Sequence, residues 1–249
     1  MASAFEYLLR LGDDRLVLGH RLSEWCGHAP ILEEDIALAN MALDLIGEAT
    51  AFLGLAGKAE GKGRDADALA YLREAIEYRN ALLVELPKGD FALTMVRQLF
   101  FSVFALLQAE ALQRGNDTEL AGIAAKTVKE MRYHVRHSSD WVVKLGWGTS
   151  ESHGRAQRAV DDLWRYTGEL FLADDVDRAA AEAGIGVDPS TLESAWRTTV
   201  DDLLARSGLT TPETSYMQRG GREGRHTEHL GHMLAEMQIV ARSHPGASW

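Results

Sequence analysis

The stretch KEMRYHVRHSSDWVVKLGW, residues 129–147, decides how this chain is expected to fold. It has the pattern of a helix, and it places Glu130, His134 and His137 close together. Glutamate and histidine on one helical face are the ligands from which di-iron sites in four-helix bundles are built. The stretch therefore indicates either a bundle that holds iron or one that keeps only the shape of an iron protein.

The composition favours helices throughout the chain. Of the 249 residues, 46% are hydrophobic and 25% are charged, ordinary values for a globular protein with a sizeable core. Only five prolines occur, and no long stretch alternates apolar and polar residues as a half-buried strand would. Because no linker is long enough to separate domains and no internal repeat is present, we expect one domain spanning 1–249.

Charge and cysteine content exclude several classes of function. The net charge is −11, from 26 basic and 37 acidic residues, which disfavours binding to nucleic acid or an anionic membrane. The single cysteine, Cys26, rules out an intrachain disulfide and a cysteine-based zinc site. The N-terminus does not have the pattern of a signal peptide, and the strongest apolar run, 99–107, is too short to span a bilayer. We therefore expect a cytoplasmic protein.

Four long helices are predicted from apolar periodicity and from their start and stop signals. The third is apolar on nearly every side in its middle, which is typical of a buried central helix. Shorter helices are predicted over 66–85, near 190–206 and from about 226 to 244, and a loop over 208–225. The long helices cover about 4–25, 32–57, 91–114 and 118–144. The pattern predicts an all-α protein, a four-helix bundle with additional helices at the C-terminal end.

Each long helix can be compared with the ligand pattern of a di-iron bundle, which needs carboxylates on two helices and Glu-x-x-His on the other two. The second helix offers Asp44 with Gly47 three residues later, and glycine has no side chain to coordinate iron. The fourth offers Glu130 with Tyr133 at the histidine position, while His134 follows one residue late. These five positions have the form of a vestigial site.

The third long helix weighs most heavily against iron. From residue 91 through 109 it contains no Asp, Glu or His, whereas a metal pair needs about six protein ligands. The first helix contains acids, including Asp13 and Asp14, but the sequence assigns neither to a site. We therefore interpret Glu130 and His134 as a hydrogen-bonded pair in the bundle, completed by Asp44 or a nearby arginine, because a buried carboxylate without a partner is costly.

A second histidine cluster lies in the last predicted helix. His226, His229 and His232 recur every three residues and could bind a first-row transition metal. They could equally form hydrogen bonds within the fold or face a partner. No second segment with metal ligands is evident, and closed sites need about four, which favours the structural interpretation.

An arginine-rich loop precedes that helix. Arg219, Arg222 and Arg225 alternate with glycines, and arginines beside a helix N-terminus can bind carboxylates or phosphates. The loop is therefore a candidate contact for an anion or for an acidic partner. The alternative is that these arginines pair with acids of the same chain, such as Asp201 and Asp202.

Several long stretches resemble one protein family, the C subunits of bacterial 1,2-phenylacetyl-CoA epoxidases. They are LGDDRLVLGHRLSEWCGHAPILEEDIALANMALDLIGEA (11–49), KEMRYHVRHSSDWVVKLGWGTSESH (129–153), LWRYTGELF (163–171) and HTEHLGHMLAEMQ (226–238). The resemblance runs from the first helix to the last. It implies a ferritin-like fold and a place in a multicomponent monooxygenase that epoxidises the ring of phenylacetyl-CoA in aerobic phenylacetate catabolism.

The same resemblance implies how the work is divided within the complex. The di-iron centre and the site for the CoA thioester belong to the catalytic A subunit, while a separate reductase supplies electrons through flavin and iron–sulfur centres. The C subunit is a metal-free structural relative that forms a heteromeric core with the A subunit; it has no catalytic residues. The sequence thus leaves two hypotheses, a non-catalytic scaffold or a self-sufficient ferritin-like di-iron oxidase or hydroxylase with an unusual ligand set. As a scaffold, the chain is expected to form a homo-oligomer when alone.

Overall fold

Helices make up nearly all the regular structure in residues 2–247, the part of the chain that the computed structural model describes. Within this range the chain forms ten α-helices and four short 3-10 helices, with no strand. The prediction of an all-α protein is confirmed. The α-helices are α1 (Ala2–Ser23), α2 (Leu32–Glu60), α3 (Ala66–Tyr71), α4 (Leu82–Glu85), α5 (Phe91–Leu112), α6 (Thr118–Gly146), α7 (Ser150–Trp164), α8 (Asp175–Glu182), α9 (Glu193–Arg206) and α10 (Glu228–Ser243).

Side-chain caps fix where two of the long helices begin. The Asp90 carboxylate accepts a hydrogen bond from the backbone N–H of Leu93 at the start of α5. The Asp117 carboxylate accepts from the backbone N–H groups of Glu119 and Leu120 and is the N-cap of α6. Such caps satisfy backbone donors that the first helical turn leaves unpaired, and they contribute about 1 kcal/mol each.

The four long helices α1, α2, α5 and α6 form the bundle. α1 packs along α2, α5 packs along α6, and α2 faces α6 across the middle. The first two helices approach closely at Gly12, where a Cβ atom would lie 2.7 Å from the Leu53 side chain. A larger residue here would displace the Leu53 side chain, so glycine lets the two helices lie close together.

Two of the bundle helices are long and apolar enough to cross a membrane by length and composition, namely α2 and α5. The apolar run 99–107 is thus part of α5, a helix of 22 residues that is apolar over more than this run. For α5, 78% of the apolar window is buried inside the protein, as expected for the core helix of a bundle. For α2 the buried share is only 44%, so much of its apolar surface faces outward.

The prediction of one short helix over 66–85 is wrong. That segment contains α3, a 3-10 turn at Ala75–Glu77 and the single turn α4, separated by extended residues. Two buried acids of α1 hold the extended part, since Asp13 accepts from the backbone N–H of Arg79 and Asp14 from that of Ala81, each at 2.8 Å. These long-range bonds replace the local bonds that a continuous helix would make.

The C-terminal helices α7 to α10 pack against the rest of the fold; α9 and α10 were predicted, whereas α7 and α8 were not. Trp164 and Trp196 form an aromatic cluster against Phe100 of α5, with ring centroids 5.7 to 5.8 Å apart. The Trp196 indole also donates to the Phe100 carbonyl oxygen at 2.8 Å. This cluster anchors the added helices on the central helix, so the two tryptophans serve core packing.

Candidate functional site at the centre of the bundle

His134 lies at the centre of the bundle with both ring nitrogens already engaged. It is fully buried, and Gln98 Nε2 donates to its Nδ1 at 3.3 Å. Its Nε2 therefore carries the proton and donates to Asp44 Oδ2 at 3.1 Å. Gln98 comes from α5, the helix whose middle lacks acids, and it also donates to Ser102 Oγ at 2.9 Å. A neutral histidine held in this way has no free nitrogen for a metal ion.

Glu130 has a different partner from the one predicted. Its carboxylate lies 3.1 Å from Lys126 Nζ, one helical turn earlier, and the expected hydrogen bond to His134 is not formed. The reason is that His134 points to Asp44 and Gln98 from the other helices, while the lysine reaches Glu130 along α6. The part of the interpretation that placed Asp44 beside His134 agrees with the structure.

Gly47 and Tyr133, the other two vestigial positions, do not face the centre together. Gly47 lies on the outer side of α2, where a Cβ atom would meet nothing within 4 Å. Tyr133 is half-buried, and its ring lies 5.8 Å from that of His137 and 6.2 Å from that of His134. The residue of α2 that faces the interior is instead Glu48, four positions after Asp44.

Arg15 and Glu48 form a buried ion pair that the sequence pattern did not predict. Arg15 Nε donates to Glu48 Oε2 at 2.8 Å, with the arginine side chain 0% and the glutamate 1% exposed. The guanidinium also donates to Gln108 Oε1 at 3.3 Å and lies 4.8 Å from the Phe52 ring centroid. A signal was present, because Glu48 lies among the apolar residues of α2. Counted from Asp44, the i+3 spacing of the di-iron pattern points to Gly47, which is one residue before Glu48.

The Glu48 carboxyl group binds a proton more readily than an exposed glutamate does. Burial raises its pKa from 4.5 to about 8, Arg15 opposes this shift, and the nearby Glu130 carboxylate adds to it. One oxygen of each glutamate, Glu48 Oε1 and Glu130 Oε2, is buried without another hydrogen-bond partner. A proton held between two carboxyl groups satisfies both oxygens, as in other buried acid pairs.

These residues do not fit a di-iron centre. Among the described residues, no group of three or more His, Cys, Asp or Glu side chains is arranged to hold a metal ion. The polar groups at the centre are used by one another: Glu48 with Arg15, Glu130 with Lys126, and His134 with Asp44 and Gln98. The guanidinium of Arg15 adds a positive charge at the centre of the bundle, which disfavours a metal ion beside it.

A second histidine–carboxylate pair joins the same two helices closer to the start of α2. His137 Nε2 lies 2.9 Å from Glu34 Oε2, and both side chains are 11% exposed. His137 Nδ1 is buried and has no hydrogen-bond partner among the described residues. Polar pairs thus connect α2 to α6 at two separate levels, and they set the spacing of the two helices.

The arginine-rich loop places its three arginines differently. Arg222 points inward, where it donates to Asp14 Oδ2 at 2.7 Å and to the Arg79 carbonyl oxygen at 2.7 Å. Its acidic partner is thus in α1 and not at 201–202. Arg225 is exposed and lies 2.6 Å from Glu223, and Arg219 is exposed. Only two of the three arginines are available to a partner.

A single carboxylate, that of Glu169, holds the loop against the bundle. Glu169 Oε1 accepts from the backbone N–H groups of Gly220 and Gly221 at 2.7 and 2.8 Å, and Oε2 accepts from Leu82 at 2.7 Å. Gly221 approaches so closely that a Cβ atom would lie 2.1 Å from the Asn80 carbonyl oxygen. The glycines of this loop therefore serve internal packing. The backbone N–H groups of Gly220 and Gly221 already have an anionic partner, the Glu169 carboxylate.

The three histidines near α10 do not converge. The His226 side chain, 5% exposed, forms a pair with Glu85: Nδ1 lies 2.7 Å from Oε2, and Nε2 lies 3.1 Å from the Tyr78 carbonyl oxygen. His229 is half-buried and His232 is exposed. The one that is fixed by hydrogen bonds, His226, ties the start of α10 to α4.

Comparison with known proteins gives two matches that span the chain. The profile of the phenylacetic acid catabolic protein family matches residues 1–249. The C subunit of 1,2-phenylacetyl-CoA epoxidase from Escherichia coli (strain K12) is 49% identical over 243 residues, which cover 98% of each chain. Identity at this level over the whole length applies to the bundle and to the added helices alike.

Proposed function

The chain belongs to the phenylacetic acid catabolic protein family, and from this premise we propose that it is the non-catalytic structural subunit of a phenylacetyl-CoA epoxidase. In this role it pairs with and supports an iron-bearing subunit, while a reductase with flavin and iron–sulfur centres supplies the electrons. The complex would epoxidise the ring of phenylacetyl-CoA in the cytoplasm. The whole chain, 1–249, would act as one ferritin-like domain.

One observation supports the non-catalytic role: the polar side chains at the centre of the bundle are paired with one another. Arg15 occupies the carboxylate of Glu48, and His134 has hydrogen bonds at both ring nitrogens. For a metal ion to bind, a buried ion pair would have to separate, and the arginine would lose its partner in a region from which water is excluded. The arrangement supports a bundle that is stable without metal.

Two arginines remain candidates for contact with a partner. Arg219 and Arg225 are exposed in a chain that is otherwise strongly acidic, and we propose that they contact an acidic group of another subunit or of CoA. Arg222 has no such role, because it is used within the fold by Asp14. The isolated chain, with its partner-binding surface uncovered, would form a homo-oligomer.

The test combines metal content with reconstitution. We expect the purified chain, expressed in iron-rich medium, to contain no stoichiometric iron and to show no activity with reductase, oxygen and phenylacetyl-CoA. Adding the iron-bearing subunit of the same complex should produce a heteromer, detected by light scattering, and should support turnover. The wild-type iron-bearing subunit without this chain is the control.

Two results would contradict the proposal. About two iron atoms per chain, lost on replacing Glu130 with alanine, would show a self-sufficient di-iron oxidase instead. A chain that stays monomeric when mixed with its iron-bearing partner, and that leaves the partner's turnover unchanged, would exclude the structural role.

A further inference from the structure

His226 lies just before α10 and has a hydrogen-bond acceptor at each ring nitrogen. Its Nδ1 lies 2.7 Å from Glu85 Oε2, and its Nε2 lies 3.1 Å from the Tyr78 carbonyl oxygen. A ring nitrogen forms a hydrogen bond with an oxygen only when one of the two atoms carries a proton. A backbone carbonyl oxygen has no proton to donate, so Nε2 of His226 donates to Tyr78.

The contact between His226 and Glu85 needs a further proton. A neutral imidazole has one N–H group, and here that group is used at Nε2. The 2.7 Å bond between Nδ1 and Oε2 therefore requires a second proton, either on the ring or on the carboxyl group. In both cases the pair holds one proton more than a neutral histidine beside an ionised glutamate.

The surroundings of Glu85 place this proton on the histidine. Glu85 is fully buried, and its Oε1 accepts from the backbone N–H of Thr227 at 2.6 Å. Its Oε2 accepts from Asn80 Nδ2 at 2.8 Å. With His226 this makes three donors around one carboxyl group, and an ionised carboxylate can accept from all three without donating to any. The geometry is that of a buried imidazolium with Glu85 as its counterion.

Two other histidine–carboxylate pairs of the described chain differ in this respect. At His134, Nε2 donates to Asp44 while Nδ1 faces the amide donor of Gln98, so a neutral ring satisfies both contacts. At His137, Nε2 lies beside the Glu34 carboxylate, and Nδ1 has no hydrogen-bond partner among the described residues. Of these three pairs, only the one beside α10 demands a second ring proton.

The His226–Glu85 pair joins distant parts of the chain. The two residues are 141 positions apart, and Glu85 also binds the backbone of Thr227, the N-cap of α10. Without the second proton, either Nδ1 faces a carboxylate oxygen or Nε2 faces a carbonyl oxygen with no hydrogen between them. Two acceptors in contact repel each other, and burial keeps water from separating them. The start of α10 would then lose its attachment to α4.

No other charged group around the contact supplies the missing proton. The Arg21 guanidinium of α1 donates to the carbonyl oxygens of Glu85 and His229 at 2.8 and 2.9 Å. In the first turn of α10, Glu228 is exposed and His229 is half-buried. Glu169 accepts from the loop before His226. The arginines on the neighbouring segments have acidic partners of their own: Arg21 with Glu24, Arg73 with Asp13, Arg79 with Glu6, Arg222 with Asp14, and Arg225 with Glu223.

We propose that the contact between the start of α10 and the segment 78–85 depends on a proton. In the folded protein His226 carries a hydrogen on each ring nitrogen, and loss of one of them releases the start of α10. Because the folded state binds the extra proton, the contact is strongest at low pH and weakens as the pH rises from neutral to alkaline.

The first measurement is nitrogen NMR of the wild-type chain with ¹⁵N-labelled histidine at neutral pH. Nitrogen chemical shifts distinguish ring nitrogens that carry hydrogen from those that do not, and the signal missing in His226→Asn identifies His226. We expect hydrogen on both nitrogens of His226. His134 is the internal reference, since its contacts require hydrogen on Nε2 alone. A singly protonated His226 would overturn the inference.

The second measurement is hydrogen exchange at the start of α10 in the wild type and in Glu85→Gln. The glutamine oxygen can accept from Thr227, and its NH₂ group can donate to Nδ1 of a neutral His226, so this contact needs no second proton. One bound proton changes an equilibrium by up to tenfold per pH unit. From about pH 7 to about pH 9, the protection of these amides should therefore fall at least about tenfold more in the wild type than in the variant.

Glu34→Gln is the matched control. It removes a carboxylate that lies 2.9 Å from a histidine, His137, in a different part of the fold, so exchange at the start of α10 should follow the wild type at every pH. Equal pH dependence in the wild type and in Glu85→Gln would show that the proton does not control the contact. If Glu85→Gln does not fold, the wild type alone decides. Loss of the second proton from His226 with no increase in exchange at the start of α10 would also overturn the inference.

Discussion

Replacing Glu48 with glutamine should remove a large pH dependence from the stability of this protein. In the folded chain the Glu48 carboxyl group is buried between Arg15 and Glu130, and its pKa is raised from 4.5 to about 8. Glutamine has nearly the same shape and does not titrate. Its amide oxygen can accept from Arg15, and its NH₂ group can donate to Glu130, so the contacts of the protonated acid are kept.

The sign of the effect follows from the raised pKa. The group favours the folded state fully below its unfolded pKa of 4.5, and this contribution is lost as the pH rises through about 8. Each pKa unit corresponds to about 1.4 kcal/mol, so the wild type should lose roughly 2–3 kcal/mol from this group between pH 6 and pH 8.5. The Glu48→Gln variant should lose none of that amount. Its free energy of unfolding should therefore rise relative to that of the wild type as the pH increases.

The measurement is urea denaturation followed by circular dichroism, at several pH values from 6 to 8.5. Lower pH is avoided because the isoelectric point is about 5.3, where association would disturb the equilibrium. The quantity compared is the difference in free energy of unfolding between variant and wild type at each pH, in which the other titrating groups cancel. Glu110→Gln is the control, since Glu110 is on the surface of α5 and pairs with the exposed Arg132.

Parallel curves for the wild type and the Glu48→Gln variant would refute the reasoning. They would mean that Glu48 is ionised in the folded protein as it is in the unfolded chain, with the ion pair to Arg15 outweighing its burial. The carboxyl stretching band in the infrared spectrum gives an independent check, because a protonated glutamate should be detectable in the wild type at pH 7 and lost in the variant.

Two further predictions concern the fold. Arg222→Ala should lower the free energy of unfolding by about 3–5 kcal/mol, because it leaves Asp14 buried without its cation, whereas Arg225→Ala, at an exposed pair, should cost less than about 1 kcal/mol. Gly146→Ala should destabilise the protein by at least about 1–3 kcal/mol in the same denaturation assay, since its Cβ atom would lie 2.0 Å from the Ser207 carbonyl oxygen. Wild-type stability in either destabilising variant would show that these contacts are not formed as described.

The sequence predicted the elements whose signals are local. α5 was recognised as the buried helix from its apolar middle, and α6 from its periodicity. The segment 66–85 was predicted wrongly because its structure depends on Asp13 and Asp14, more than fifty residues away. Helix propensity in a short segment is weak, and hydrogen bonds to buried acids outweigh it.

At the centre of the bundle, the sequence predicted which types of residue are present better than it predicted which of them contact one another. The middle of α5 was predicted to lack acids, and it places the amide of Gln98 beside His134. The pair of Arg15 with Glu48 was not predicted, because nothing in the spacing of one helix reveals which residue of another it meets. A difference of one residue, between Gly47 and Glu48, decides which side chain faces inward.

The ion pair between Asp14 and Arg222 has a consequence for the synthesis of the chain. The two residues are 208 positions apart, and a ribosome adding 5–20 residues per second needs about 10–40 s to cover that distance. Arg10 meets Asp177 almost as late, because that partner follows 167 positions later. During this interval the first helix carries charges that have no counterion, so it cannot settle into a dry interior. Two of the buried charges of α1 therefore acquire their ionic partners only near the end of the chain. A polypeptide that stops short of Arg222 leaves Asp14 without its cation, and quality-control proteases should remove it before it can join a complex.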